Sequence, residues 1–293
     1  MTDPTRRDWL SIFFLGLIWG GTFMVVAFAL RGYGPITVAT ARVVLGALAL
    51  IGVALAMGRP MPGWDAALWA HIIPIGLLSS AVPFSLLSWG QNFVPSAFAG
   101  LSMASSPLFV LPLAYFFAGE TLTKNKMIGS ALGFIGTLVL LGPEIISGGA
   151  LVGPRLACIG AAVCYAFASI LTRRCPKIDP TTLAATSLIV GAVPLIPMML
   201  VTEGMPTWQG PVPGFAIILL GLVPTALAVL LRVSVIRSAG SGFMTLTAYQ
   251  VPVWSVIFGA VILDENIPLR FLAALALILI GILLSQRHPR PQV

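Results

Sequence analysis

The sequence predicts an all-α polytopic membrane protein with ten transmembrane helices in two inverted five-helix repeats. Three observations carry that prediction. The chain is 58% hydrophobic and 9% charged, with mean hydropathy +1.02, whereas a soluble chain carries roughly 25% charged residues. A single ungapped offset of 145 residues matches prolines and glycines of the first half to those of the second. Lysine and arginine collect at alternate ends of the apolar runs.

The repeat is clearest at Pro107 to Glu120 (PLFVLPLAYFFAGE), which opens on proline and closes on glutamate. Pro252 to Glu265 (PVWSVIFGAVILDE) does the same at the 145-residue offset. The same shift pairs Pro35 with Pro180, Thr37 with Thr182, Gly46 with Gly191, Gly76 with Gly221 and Gly136 with Gly281. The chain therefore divides into residues 1–145 and 146–293.

Ten apolar segments follow: Trp9–Leu30, Ile36–Met57, Ala67–Trp89, Ser96–Ala118, Met127–Leu141, Val152–Leu171, Thr181–Val201, Gly214–Val235, Ser241–Leu263 and Leu269–Ser285. Most approach the ~20 residues that span a bilayer as helix. Five helices per unit is an odd number, so the second copy enters from the opposite side. That makes an inverted pair, the geometry that gives one fold two access states. Gly129 and Gly133 on the fifth segment form a small-xxx-small pair suited to a packing or dimer seam.

With a cytoplasmic N-terminus, one face carries Arg6, Arg7, Arg59, Lys124, Lys126, Arg173, Arg174, Lys177, Arg232, Arg237, Arg287 and Arg290. The other carries Arg31, Arg155 and Arg270, and Arg42 lies inside a segment. The positive-inside rule places both termini in the cytoplasm. The net charge of +7 forms no patch for nucleic acid. The start, TRRDWLSIFFLGLIWGGTF, resembles a twin-arginine signal. Its apolar run is too long for such a signal, and its repeat partner lies mid-chain, so it reads as a first helix. Cys158, Cys164 and Cys175 show no disulfide or zinc spacing and read as small thiols.

A proline inside a helix frees a backbone carbonyl, which in lipid must find protein or a wet cavity. Matched breaks in two halves point to a transport site. Pro83, Pro107 and Pro112 in the first half and Pro224 and Pro252 in the second are the candidate breaks. Polar and aromatic groups gather on the same helices and on the first and sixth. The candidate substrate-binding set is Trp19, Phe23, Arg42, Ser80, Phe84, Ser88, Tyr165, Thr245, Tyr249, Gln250 and Trp254. Tyr249 and Gln250 stand out because a phenol or amide at membrane depth wants a partner. Arg42 suits a substrate carboxylate, a freed carbonyl or snorkelling to the interface. Glu120 and Glu265 read as caps for the helix that follows each. No metal site is expected, and the only histidines, His71 and His288, lie near segment ends. A membrane enzyme is disfavoured because no carboxylate pair stands beside either histidine. A channel lacks a visible selectivity ring.

WGGTF (Trp19 to Phe23), ATAR ending at Arg42, and GETLT (Gly119 to Thr123) resemble the EamA repeat of the drug/metabolite transporter superfamily. DENIPL (Asp264 to Leu269) is the weaker second copy. The resemblance covers the whole chain. It implies ten helices around a central cavity lined by the first, third, fourth, sixth, eighth and ninth. It implies a small-molecule substrate, with no cofactor and no nucleic-acid partner, and the bacterial inner membrane. It also implies export of small metabolites, with aromatic and other large neutral amino acids favoured. The acidic residues all fall at segment ends or in loops. That favours facilitated diffusion by alternating access over a proton-coupled antiporter. The oligomeric state is open, with a monomer compatible.

Overall fold

The computed structural model describes residues 4–118, 123–143, 145 and 148–286. Its regular elements are all helices. We number the ten membrane helices α1 Arg6–Ala29, α2 Pro35–Ala56, α3 Ala66–Gly90, α4 Ser96–Met103 continuing as Ser106–Ala118, and α5 Lys124–Leu141. The second half holds α6 Val152–Arg174, α7 Pro180–Thr202, α8 Pro211–Ala239, α9 Ser241–Met244 continuing as Thr247–Ile262, and α10 Leu269–Gln286. Eight of these are long and apolar enough to cross a membrane, and the apolar helix Thr247–Ile262 is shorter. α5 spends its first turn on Lys124 and Lys126.

The main helix pairings are repeated when the halves are exchanged. α2 packs on α7, α5 on α10, and α4 on α9, each pair being its own image. The α3–α6 contact maps onto α8–α1, α4–α6 onto α9–α1, and α2–α8 onto α7–α3. Most of these contacts cross between the halves, so neither half buries its apolar surface alone. The seam between α5 and α10 is glycine against glycine. A methyl group at Gly129 would stand 2.7 Å from the Ser285 nitrogen, and one at Gly281 would stand 2.8 Å from the Gly133 nitrogen. The small-residue pair is thus used within the chain, between the last helix of each half.

The helix breaks are matched by position. α3 widens by one residue per turn at Leu77–Ala81 and α8 at Gly221–Leu227, where the backbone bonds run five residues back. Pro224 cannot donate to the Leu220 carbonyl, and the Thr225 hydroxyl bonds that carbonyl instead at 2.8 Å. Pro83 follows directly on the α3 widening, in the first turn of Val82–Gly90. α4 breaks after Met103, where Ser105 Oγ donates to the Ser102 carbonyl at 2.6 Å. α9 breaks after Met244, whose carbonyl accepts Thr247 Oγ1 at 2.8 Å. Pro112 and Pro252 lie inside the second pieces of α4 and α9, and Pro107 opens α4's second piece.

Glu265 caps a helix, but not the next one. Glu265 accepts the Ser96 N–H at 2.6 Å and the Ala97 N–H at 3.0 Å, so it caps α4 in the opposite half. The reason is that α9 packs on α4, which brings the end of α9 beside the start of α4. Glu203 does the same for α2, accepting Ile36 N–H at 2.9 Å and Thr37 N–H at 2.8 Å. Glu120 lies outside the described residues.

On the other face Asp179 caps α7 through the Thr181 and Thr182 amides at 2.9 and 3.3 Å. It also meets Arg59 at 3.6 Å and Arg237 at 3.2 Å. Partial burial pulls its carboxyl upward, but those amides and the two guanidinium groups outweigh it and hold the carboxyl below its ordinary value. A carboxyl so lowered contributes stability above the ordinary carboxylate range and loses it as pH falls through the lowered value. Asp179→Ala should therefore cost about 1 kcal/mol at neutral pH, as for a lost helix cap. The loss should shrink as the pH is taken below 4, read as melting temperature in detergent across a pH series.

Candidate functional site: a cavity between the halves

One large cavity, about 990 Å3, lies between the two halves. Its floor is formed by Trp19, Thr22 and Phe23 of α1, Arg42 of α2, Phe84 of α3 and Tyr165 of α6. The α4 and α9 breaks reach it through Ala104, Ser106, Pro107, Thr245, Thr247 and Pro252. It extends to Thr172, Cys175, Lys177, Arg232 and Ile236. Those residues sit beside Arg59, Asp179 and Arg237, so the mouth opens on the lysine- and arginine-rich face. Among the described residues, none of the opposite face, where Glu203 and Glu265 make their caps, reaches the wall.

Two polar groups of the wall are held by the irregular backbone of α8. Trp19 Nε1–H donates to the Pro224 carbonyl at 3.2 Å, which ties α1 to the widened turn of α8. Thr225, in the same turn, accepts Arg42 Nε–H at 3.0 Å through its hydroxyl. The Arg42 guanidinium lies over the Phe84 ring, 3.8 Å from its centroid, a close cation–π contact. Arg42 is 8% exposed and lines the cavity. It therefore points inward and does not snorkel to the membrane surface.

Of the residues singled out from sequence, the wall brings together Trp19, Phe23, Arg42, Phe84, Tyr165 and Thr245, with Pro107 and Pro252. Ser80, Ser88, Tyr249, Gln250 and Trp254 lie off it. Ser80 is buried at the α3 widening, where its hydroxyl bonds the Gly76 carbonyl at 2.6 Å. Ser88 is buried on the part of α3 that packs against α6. Tyr249 packs against Ala104, Leu108, Ile278 and Ile282, with its hydroxyl buried and unbonded. Gln250 and Trp254 are four residues apart on one side of α9 and face Gly16 and Gly20 of α1. A methyl group at Gly16 would stand 2.6 Å from the Gln250 Cβ, so the glycine is what admits the amide. Trp254 also meets Phe13 edge-on at 5.7 Å and stacks on Phe258 at 5.6 Å. Pro83, Pro112 and Pro224 shape their helices from outside the wall, with Pro224 contributing its carbonyl to Trp19.

Sequence reasoning missed the contribution of α7, which supplies Leu183, Ala184, Ser187 and Leu188. It also took Lys177 and Arg232 as topology signals alone, whereas both stand on the wall near the mouth. Ser187 had a signal, being the repeat partner of Arg42.

An inverted pair of helical units around a cavity open to one face defines a membrane transporter. The chain belongs to the EamA-like transporter family, whose profile matches residues 8–142 and again 154–286. It is 25% identical to an uncharacterized transporter of Archaeoglobus fulgidus over 96% of this chain and 99% of that one. It is 28% identical to the uncharacterized inner membrane transporter YedA of Escherichia coli, over 94% and 89%. A probable terminal-alkyne amino-acid exporter of Streptantibioticus cattleyicolor is 28% identical over 92% and 90%. A solved crystal structure superposes with TM-score 0.69 over 95% of this chain and 96% of its own at 22% identity, a likeness of fold.

The free thiol of Cys175 stands at the cavity mouth, which makes it a native reporter. In a background with Cys158 and Cys164 changed to serine, an impermeant maleimide should modify Cys175 from one side of the membrane only. A cysteine placed at exposed Gln209, on the capped face, should react only from the other. Modification of both from one side would refute the two-face arrangement.

Proposed function

We propose that this transporter exports small apolar metabolites, aromatic and other large neutral amino acids foremost, by alternating access and without a coupling ion. The observation that carries the reading is the cavity itself. It is open to one face, large enough for one such molecule, and walled by Trp19, Phe23, Phe84 and Tyr165. The similarity to a probable amino-acid exporter supports the substrate class. In this reading residues 1–145 and 146–293 are the two moving units. Trp19, Phe23, Arg42, Phe84, Tyr165 and Thr245 contact substrate. Ser80, Ser88, Tyr249, Gln250 and Trp254 act through the packing of α3 and α9. The positive-inside rule puts the cavity mouth and both termini on the cytoplasmic side of the inner membrane. A substrate collected there is one to be exported.

Uncoupled movement is supported by the wall's ionisable groups. Among the described residues it has Arg42, Lys177 and Arg232 but no carboxylate to carry a proton between states. The test is uptake of labelled phenylalanine into substrate-free proteoliposomes, with and without an imposed pH or sodium gradient. Saturable uptake that reaches, but does not exceed, equal concentrations is expected. Accumulation driven by either gradient would replace the facilitator with a coupled carrier. Absence of uptake for every amino acid tried would remove this substrate class.

A further inference from the structure

Arg42 presents donors to the cavity that no described residue of the protein uses. Its contacts with Phe84 and Thr225 fix the plane of the guanidinium and occupy one of its five N–H donors. Among the described residues the two terminal nitrogens have no hydrogen-bond partner, and neither is sealed from the cavity. No aspartate or glutamate stands on the wall to answer the charge, and its other ionised groups, Lys177 and Arg232, are also cations. Burying an arginine at membrane depth with its fork unspent is costly unless a ligand takes it up. The partner such a planar fork fits is an anion with two oxygens side by side. The position related by the repeat is Ser187, also on the wall, whose hydroxyl is buried and unbonded. Charge is thus offered at one of the two related positions and a neutral hydroxyl at the other.

We propose that the Arg42 fork anchors the carboxylate of the substrate, and that recognition reads this carboxylate without reading an ammonium group. The substrate class is then a small carboxylate on an apolar or aromatic body, amino acids and their 2-oxo acids alike. The body lies along Phe84 and Tyr165 toward Trp19. An amine of the same shape, lacking the carboxylate, meets three cations and no anion, and is excluded. This inference rests on the transport reading but can fail separately from it.

The test measures binding to the detergent-solubilised protein by thermal shift and calorimetry, using phenylpyruvate, phenylalanine, phenethylamine and inorganic phosphate. Phenylpyruvate and phenylalanine should bind, and phenethylamine should not. Arg42→Gln should weaken carboxylate binding roughly ten- to a hundredfold, the range for a hydrogen-bonded charge. Arg42→Lys keeps the charge without the fork and should fall between. Thr225→Val leaves the fork but frees its tether and should cost less than Arg42→Gln. Size-exclusion profiles identify variants that do not fold; if Arg42→Gln is one, Arg42→Lys and Thr225→Val decide. Phenethylamine binding as tightly as phenylpyruvate, or carboxylate affinity unchanged in the folded Arg42 variants, would overturn the proposal. So would phosphate competing at equal concentration, or no binding of either carboxylate to the unaltered protein. Carboxylate binding without flux in proteoliposomes keeps the anchor and removes the transport reading. Phenylalanine flux indifferent to Arg42 does the reverse.

Discussion

In hydrocarbon a backbone carbonyl released by a helix break has no water to turn to, and leaving it unpaired costs several kcal/mol. The fold around the cavity follows from that constraint. The Leu220 carbonyl, which Pro224 cannot bond, is taken by Thr225. Thr225 then has its hydroxyl oxygen left to accept from Arg42. The Pro224 carbonyl goes to Trp19 of the first helix. One irregular turn thereby fixes two of the wall's polar groups and joins the two halves. At the other breaks the Ser105 and Thr247 hydroxyls bond the Ser102 and Met244 carbonyls of their own helices. Irregular backbone is thus concentrated where the cavity needs it.

This explains which parts were legible in the sequence. Helix number and order, and boundaries to within a few residues, followed from apolar length, because a membrane sets that length. The breaks followed from proline. Which way a side chain faces did not follow, because α9 is apolar on nearly every side and carries no amphipathic stripe. Gln250 and Trp254 therefore looked like site residues as readily as Thr245. What separates them is a partner helix. Gly16 and Gly20 repeat at the same four-residue spacing and receive them. Ser80 illustrates the same limit differently, since it and Thr225 are repeat partners with the same kind of bond to their own helix. Only Thr225 has an arginine opposite it.

That difference also shows how the duplication has been used. Gly76 packs against Ser187 and Val190, and its partner Gly221 against Arg42 and Leu45, so the two helix crossings are images of each other. The backbone arrangement has been kept in both halves while the side chains at its centre have diverged. In the alternating-access reading proposed above, symmetry serves a fold with two mirrored access states. It is not required of the binding groups, which meet one substrate lying one way round. A single arginine breaks the symmetry where the ligand would sit and leaves the mechanical frame intact.

The ties between halves differ in kind on the two faces. On the closed face Glu203 and Glu265, both from the second half, accept N–H groups from the first turns of α2 and α4 in the first half. Each is a carboxylate at a helix N-terminus, the arrangement that helix ends favour most. On the open face Asp179 caps a helix of its own half, and it is linked to the first half by a partly buried pair with Arg59 at 3.6 Å. The halves are therefore joined through capped helix ends on one face, and on the other through Asp179 with Arg59, the Ser238 hydroxyl on Asp8 and the Thr182 hydroxyl on the Pro60 carbonyl. Opening the closed face would uncap α2 and α4 and leave their first amides to water, which is available at the membrane surface and absent at the cavity floor. The cost of the transition thus falls at the helix ends, where solvent can offset it. The tether of Trp19 and Arg42 to the α8 turn, where nothing could replace those bonds, has no such compensation, and that makes it the natural pivot.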